Sequence, residues 1–328
     1  MTAPGLAEGV MASRPPEHAS PIKELPLERL RRYEEIIPAF EEFLRCLREP
    51  LPKTVRVNTL KASVEKVLAS LEERGIAFER LGWYEHGIKL EGVDRPGNLL
   101  EYFLGFIHPQ EEVSMIPPLL MELEPGQLVL DLCAAPGSKA TQIAQLLDNT
   151  GHIVANDVSA ERLKLLRDNY ERLGVLNMGI TAYDGREFPS AYEFDAVLVD
   201  APCSCEGVIR KDPSVLRALG PRLYRRMHRL QRALLLRAVE LVRPGGVVVY
   251  STCTFAPEEN ELVVDYVLKR LGNSVELEPI ELRGLRYEPG LTEWEGHELE
   301  PDLALCARFY PHLNDTGGLF VAKLRKKR

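Results

Sequence analysis

The chain is sparing with cysteine, six in 328 residues, yet two stand one residue apart in VDAPCSCEGVIRKDP (199–213) and another sits in YSTCT (250–254). Cys203 and Cys253 both follow short apolar runs that read as buried strands, so both fall where a strand runs out into a loop. Packing, metal ligation and a pair of thiols acting on one substrate compete as explanations. Free cysteine is among the most buried residue types, and packing is enough to account for Cys205 or Cys46. A structural zinc site wants four ligands, usually as two close pairs, whereas here one Cys-x-Cys stands with isolated cysteines elsewhere. The CxxxCxxC spacing of a radical iron–sulfur enzyme is absent as well. No metal is expected.

Two thiols have a use on a pyrimidine ring. Carbon 5 of cytosine is a poor nucleophile, but a thiolate adding to carbon 6 makes an enamine whose carbon 5 can attack an electrophilic methyl group. That thiol must be deprotonated locally. A second acid–base group must then remove the carbon 5 proton so that the sulfur can leave. Asp200 completes the set, because a protonated or proton-sharing carboxyl can bridge N3 and the amino group and draw charge from the ring.

The elements that must position these groups begin near residue 125. QLVLDLCA (127–134), HIVANDV (152–158), MGITAYD (178–184), FDAVLVDAP (194–202) and GVVVYSTCT (246–254) read as strands, the apolar ones buried on both faces. Helical stretches at 139–147, 160–173 and 224–242 alternate with them; 258–271 adds another helix and 318–324 a closing edge strand. The pattern is that of a doubly wound α/β domain, whose ligands gather beyond the carboxyl ends of the strands. Cys133, Asp157, Asp184, Asp200, Cys203 and Cys253 all lie there. CAAPGSK (133–139) lacks the glycines of either nucleotide-binding signature, but its Pro-Gly turn opens a helix that can face an anionic group. Asp157 is placed to accept from two ribose hydroxyls and Asp184 from an exocyclic amine. S-adenosylmethionine carries a carboxylate, a ribose and such an amine.

Before this domain the chain sketches a small α+β unit: a helix over 27–48, a strand at 54–60, a helix at 64–74 and short strands at 78–81 and 88–90. The expected division is a flexible tail 1–25, a small domain 26–105 and a larger domain 106–328. Formal net charge is -8, against a protein that coats nucleic acid indiscriminately. Positive charge is concentrated, however, in PRLYRRMHRLQRALLLRAVELVR (221–243), where Arg222, Arg225, Arg226, Arg229 and Arg232 recur at helical spacing. That face is either a solvated surface or a phosphate-binding one. The apolar runs fall short of the roughly 20 residues that span a bilayer. Scattered cysteines without a secretory leader suit a reducing, cytoplasmic setting.

Residues 53–328 resemble the NOL1/NOP2/Sun family of RNA cytosine-5 methyltransferases through KTVRVNTLK (53–61), QEEVSMIPPLL (110–120), LDLCAAPGSKATQIA (130–144), ANDVSAERL (155–163), VDAPCSCEGVIRK (199–211), YSTCTFAPEENE (250–261) and RFYPHLNDTGGLFVAKL (308–324). The resemblance implies a Rossmann-like S-adenosylmethionine-dependent domain behind a small RNA-facing α+β domain. It implies that Cys253 is the nucleophile, that Cys203 helps remove the proton and release product, and that Asp200 contacts the base. It further implies a methionine-end loop formed by Cys133, Ala134, Ala135, Pro136, Gly137, Ser138 and Lys139, with Lys139 near the reaction. Asp157 is then the ribose acid and Asp184 the acid near adenine, with Arg162 on the cofactor side. Arg210, Lys211 and the helical arginines are the expected RNA contacts.

The family usually carries glycine where this chain has Cys205, a cost if the backbone there needs positive φ. The motifs most resemble the transfer-RNA branch, with ribosomal RNA the rival substrate, and the substrate base must be unpaired or flipped out. A catalytically silent RNA-binding assembly factor is the alternative of another class, and an amino-methyltransferase the rival enzyme. The expected partner is RNA and the expected state a monomer, and the chain's ending after 318–324 reads as lacking the further RNA-binding domains of some relatives.

Overall fold

The structure, a computed structural model, describes residues 26–327; the tail expected over 1–25 lies outside the described residues. The stretch expected as one helix over 27–48 is instead a 3₁₀ segment, Leu27–Tyr33, followed by α1 (Phe40–Cys46). Pro38 lacks the N–H that a helix interior needs, and Ala39 turns the chain with a φ of 49°. These pieces do not join the small domain. Leu30, Tyr33 and Phe43 are buried in the same core as Tyr224, Phe255 and Tyr310. The Phe43 and Phe255 rings meet edge to face at 5.1 Å, and Arg29 Nη1 donates to the Leu219 carbonyl at 2.7 Å. The first part of the expected 26–105 domain is therefore a brace on the larger one.

The small domain is an antiparallel sheet of order β2-β3-β1-β4, from β1 (Lys53–Val57), β2 (Phe78–Arg80), β3 (Gly87–Leu90) and β4 (Ile107–Pro109), with α2 (Val64–Glu73) against it. Val55, Val57, Val67, Leu71, Ile88 and Ile107 form its own apolar core. Because β4 belongs to this sheet, the boundary expected at 105 moves a few residues on. Fully buried Arg56 donates to Thr141 Oγ1 at 3.0 Å, and Asn58 Nδ2 donates to the Leu173 carbonyl at 2.8 Å. Both partners lie on helices of the larger domain.

That domain is built on β5 (Leu128–Asp131), α3 (Ser138–Leu146), β6 (His152–Asn156), α4 (Ala160–Leu173), β7 (Met178–Thr181), β8 (Phe194–Asp200), α5 (Pro221–Leu241), β9 (Val242–Thr252) and α6 (Glu261–Leu271), then β10 (Val275–Glu278), β11 (Ala307–Phe309) and β12 (Leu319–Lys326). Strands β5 to β9 are parallel and stand in the order β7-β6-β5-β8-β9. The winding reverses between β5 and β8, which opens a crevice at their carboxyl ends. Residues 246–252 of β9 are buried throughout, as a strand covered on both faces requires.

The stretch 318–324 is not an edge. It falls largely in β12, which lies inside the sheet, antiparallel to β9 on one side and to β10 and β11 on the other. The strands beyond it, down to the two-residue Glu288–Pro289 that pairs with β11, are two to four residues long, too short to declare themselves by periodicity.

Arg308 of β11 pairs with Glu261 of α6, the two side chains 2% and 0% exposed, and donates through Nη1 to the Phe255 carbonyl at 3.1 Å. One guanidinium thus ties a strand, a helix and the loop after β9 together. Arg308→Met leaves the Glu261 carboxylate buried without its cation, and chemical denaturation should show a loss of about 3–5 kcal/mol. A loss below about 1 kcal/mol, the size of an exposed pair, would show that this junction does not depend on the bridge.

Candidate active site

Strands β8 and β9 pair in parallel with Asp200 opposite Ser251, so the loops that follow them start side by side. Cys203 Sγ lies 3.3 Å from Cys253 Sγ and 3.8 Å from Cys205 Sγ. Backbone and carboxylate bonds hold the loops together. Gly207 N donates to the Cys253 carbonyl at 2.8 Å, and the Gly207 carbonyl accepts from Gly318 N at 3.0 Å. A Cβ at 207 would meet the Gly318 carbonyl oxygen at 2.5 Å, so only glycine permits this approach. Buried Glu206 accepts from Tyr33 Oη at 2.9 Å, Tyr224 Oη at 2.7 Å, Thr254 Oγ1 at 2.9 Å and Phe255 N at 3.0 Å. Four donors match the four acceptor positions of a carboxylate. Between the cysteines, Cys205 has a φ of 62°, the left-handed region that glycine enters freely and a side chain enters at a cost.

The three sulfurs share hydrogen bonds and do not ionise alike. Bonds from Cys203 and Cys253 pull the Cys205 thiol below the ordinary range. Cys203 is pushed up by its bonds to Cys205 and Cys253 and by burial. For Cys253 a bond from Cys203 works downward, but the bond to Cys205 and burial outweigh it and push the thiol up. Beside them Lys139 Nζ donates to Asp200 Oδ2 at 2.6 Å, and Ser251 Oγ donates to Asp200 Oδ1 at 2.8 Å. Burial opposes the Lys139 ammonium, yet the charge and hydrogen bond of Asp200 prevail and raise it.

These groups open onto a cavity of about 660 Å³ at the β5/β8 crevice, lined by Cys133, Lys139, Asp157, Arg162, Asp184, Asp200, Cys203, Cys205, Cys253 and Lys211 among others. Asp157, at the end of β6, is 3% exposed. Its Oδ1 accepts from Ser159 N at 2.9 Å, and its Oδ2 faces Ala135 N at 3.3 Å and Arg162 Nη1 at 3.2 Å. Arg162 also donates to the Ala135 carbonyl and so fastens the 133–139 loop to Asp157. Asp184 accepts from the backbone and guanidinium of Arg186, which hold its carboxyl below the usual range.

Ala134, Ala135, Pro136, Gly137 and Ser138 are not among the residues facing the cavity. Ala134 and Ala135 are buried beneath it, the Pro136 carbonyl accepts from Asn169, and Gly137 packs on Leu166. Ser138 Oγ meets His108 Nε2 at 2.9 Å, and Arg172 Nη2 stands 3.0 Å from His108 Nδ1, so the small domain braces the loop from behind.

Two groups escaped the sequence reading. Glu111 faces the cavity and accepts from Gly317 N at 2.7 Å and Ser114 N at 3.1 Å; its place in QEEVSM was the available signal. Asp131, two residues before Cys133, is 1% exposed; burial, with the Asp200 charge, pushes its carboxyl up to about 8.

The arginines divide. Arg222, Arg225, Arg226 and Arg229 are exposed on α5, whose Leu230 and Leu234 line the cavity. Arg232 is half-buried, its guanidinium 3.5 Å from the centre of the Tyr266 ring. Arg210 must be withdrawn as an RNA contact. Its side chain is 1% exposed and is consumed by the carbonyls of Glu49, Pro50 and Thr316 and by Asp315.

An α/β sheet with a cavity at its switch point, acids at the strand ends and a thiol cluster on the cavity wall is the architecture of an S-adenosylmethionine-dependent methyltransferase. Residues 118–325 match the family model for 16S rRNA methyltransferase RsmB/F, and residues 25–112 match that for the N-terminal domain of 16S rRNA methyltransferase RsmF. The chain belongs to the NOL1/NOP2/RsmB–RsmF family of RNA cytosine-5 methyltransferases.

It is 40% identical to a tRNA (cytosine(49)-C(5))-methyltransferase of Pyrococcus abyssi, over 95% of this chain and 100% of that one. It is 42% identical to ribosomal RNA small subunit methyltransferase F of Shewanella amazonensis over 88% of this chain, which spans only 61% of that relative. NSun6 from Pyrococcus horikoshii, solved with the S-adenosylmethionine analogue SFG, superposes with a TM-score of 0.79 at 26% identity, covering 93% of this chain and 98% of that one. No helix among the described residues is long and apolar enough to cross a membrane.

Asp157→Asn keeps the side-chain shape but removes the charge that a ribose hydroxyl would meet. Calorimetry should show S-adenosylmethionine binding weakened by about 1.5–3 kcal/mol per charge-assisted hydrogen bond lost. Unchanged affinity would leave Asp157 a loop anchor for Ser159 and Ala135 only.

Proposed function

We propose that this chain methylates carbon 5 of a cytosine in transfer RNA, with Cys253 bonding to carbon 6 and Cys203 accepting the carbon 5 proton. The adjacency of the two sulfurs, 3.3 Å apart beside Asp200, carries the reading. When bound, S-adenosylmethionine supplies an electrophilic methyl group; Asp157, Asp184, Cys133 and Arg162 are the residues to hold it.

An extruded cytosine enters beside the thiols, since a paired base cannot be reached within a duplex. Cys253 gives up its proton within the cluster and its sulfur adds to carbon 6. Asp200 accepts from the exocyclic amine, and as charge moves into the ring the proton shared with Lys139 across 2.6 Å can pass through the carboxylate to N3. Cys203 first releases its own proton to solvent through the cavity mouth, and once carbon 5 has taken the methyl group the carbon 5 proton goes to the Cys203 thiolate. The raised affinity of Cys203 for a proton makes its thiolate a strong base. The carbon 6–sulfur bond then breaks, and Cys253 leaves as thiolate.

Transfer RNA is supported by the match to the Pyrococcus abyssi enzyme, which runs the full length of that relative. Ribosomal RNA is the second reading, favoured by both family descriptions. The exposed arginines of α5, on the helix that forms one wall of the cavity, suit the phosphates of either. The intact pair of sulfurs speaks against a silent assembly factor, and free thiols fit the reducing cytoplasm. Labelled methyl transfer into purified transfer RNA, with no transfer into ribosomal RNA, is the expected outcome; the reverse would move the substrate to the ribosome.

The two thiols should fail differently when replaced. Cys253→Ala forms no carbon 6 bond and should be inactive without leaving a covalent complex. Cys203→Ala still adds but cannot clear the intermediate, so protein and RNA should stay joined through denaturing electrophoresis, most fully with S-adenosylmethionine present. An adduct in the Cys253 variant alone would exchange the two roles.

A further inference from the structure

Cys205 has no part in the reaction above, yet its sulfur completes a triangle with the two that do. All three Sγ atoms lie within 4.8 Å of one another, with Cys203 3.8 Å from Cys205 and 3.3 Å from Cys253. Bonds of about 2.3 Å from sulfur to a tetrahedral d¹⁰ cation put neighbouring sulfurs about 3.8 Å apart. The 3.8 Å edge already matches that spacing, the 3.3 Å edge must open by about half an ångström, and the Cys205–Cys253 edge, within 4.8 Å, must close by at most about an ångström.

Two ligands come from one Cys-x-Cys loop and the third from the next loop, and the Gly207–Cys253 backbone bond holds the two loops in register before any cation arrives. All three residues face the cavity, which leaves a fourth coordination position open to it. Thiolates alone select a soft ion over magnesium or calcium. Three thiolates around a divalent ion carry one net negative charge, and the Lys139 and Arg162 cations stand close enough to act on Cys253 and Cys205 respectively.

We propose that Cys203, Cys205 and Cys253 form a three-thiolate site for a soft divalent cation of the zinc class, whose occupation ties up both reacting sulfurs and reversibly stops methyl transfer. Each thiol that still carries a proton releases it on binding, so affinity rises with pH. No electron transfer is involved. The site rests on the sulfur geometry and stands whichever thiol attacks the base.

The test titrates cadmium alone into the metal-free full chain and follows sulfur-to-cadmium charge-transfer absorption. One equivalent should bind with the intensity of three thiolates and shield Cys203, Cys205 and Cys253 together from alkylation while leaving Cys46 reactive. Methyl transfer should stop and return on adding a chelator. Cys205→Gly should weaken cadmium binding by about 100-fold or more, since loss of even an outer partner of a metal ligand costs about 10–100-fold. Glycine suits the left-handed backbone at 205, so this variant should fold; Cys205→Ser, which keeps the side-chain shape, serves as the second. Absence of a one-equivalent band, shielding of fewer than three of these cysteines, or the same affinity in both variants would overturn the site.

Discussion

Everything at the reaction centre depends on the parallel pairing that sets Asp200 beside Ser251. Adjacent parallel strands release their loops in the same direction, so two cysteines fifty residues apart in sequence emerge at one place. Pairing alone would leave those loops free to spread. Glu206 closes them, spending its acceptor positions on donors from the 3₁₀ brace, from α5 and from the loop after β9. Gly207 and Gly318 then bring a third segment, the one that leads into β12, to within backbone hydrogen-bonding distance. The brace at Leu27–Tyr33 is thus part of the active-site support, though it lies far from it in sequence.

The same closeness sets the chemistry. Sulfurs 3.3 and 3.8 Å apart cannot all carry charge, so the proton inventory of the cluster is shared, with the low value at Cys205 and the high ones at Cys203 and Cys253. A thiol that stays protonated in the free protein is protected from adventitious reaction and depends on its neighbours for activation. On the proposed reading the Lys139–Asp200 bond plays the matching role at the ring's polar edge, because it keeps a proton beside a carboxylate. Cys205 sits at a backbone position that prefers glycine, which marks it as a feature of this chain and not a requirement of the reaction.

Much of this was legible in the residues. Strand-end positions of Cys133, Asp157, Asp184, Asp200, Cys203 and Cys253 followed from apolar runs that end in polar or sulfur-bearing residues, and the cavity collects all six. The positive φ feared for Cys205 is there. What stayed hidden was whatever depends on contacts between distant segments. Periodicity over 27–48 could not reveal that Pro38 splits the helix or that both pieces pack on the larger domain. Charge counting could not tell Arg210, locked among carbonyls, from Lys211, which is exposed beside it. Nor could the sequence show that the Ser138 hydroxyl, in the expected cofactor loop, is bonded to His108 of the small sheet.

On the proposed reading two adjacent sulfurs act on one base, with Cys253 as the bond-forming one. The most direct measurement gives the unaltered protein an RNA whose target cytosine carries fluorine at carbon 5, so that no proton can be removed after methyl transfer and the adduct cannot resolve. Digestion and mass spectrometry should then find the methylated, fluorinated base attached to the peptide that contains Cys253, with Cys203 free. Attachment at Cys203 would contradict the account.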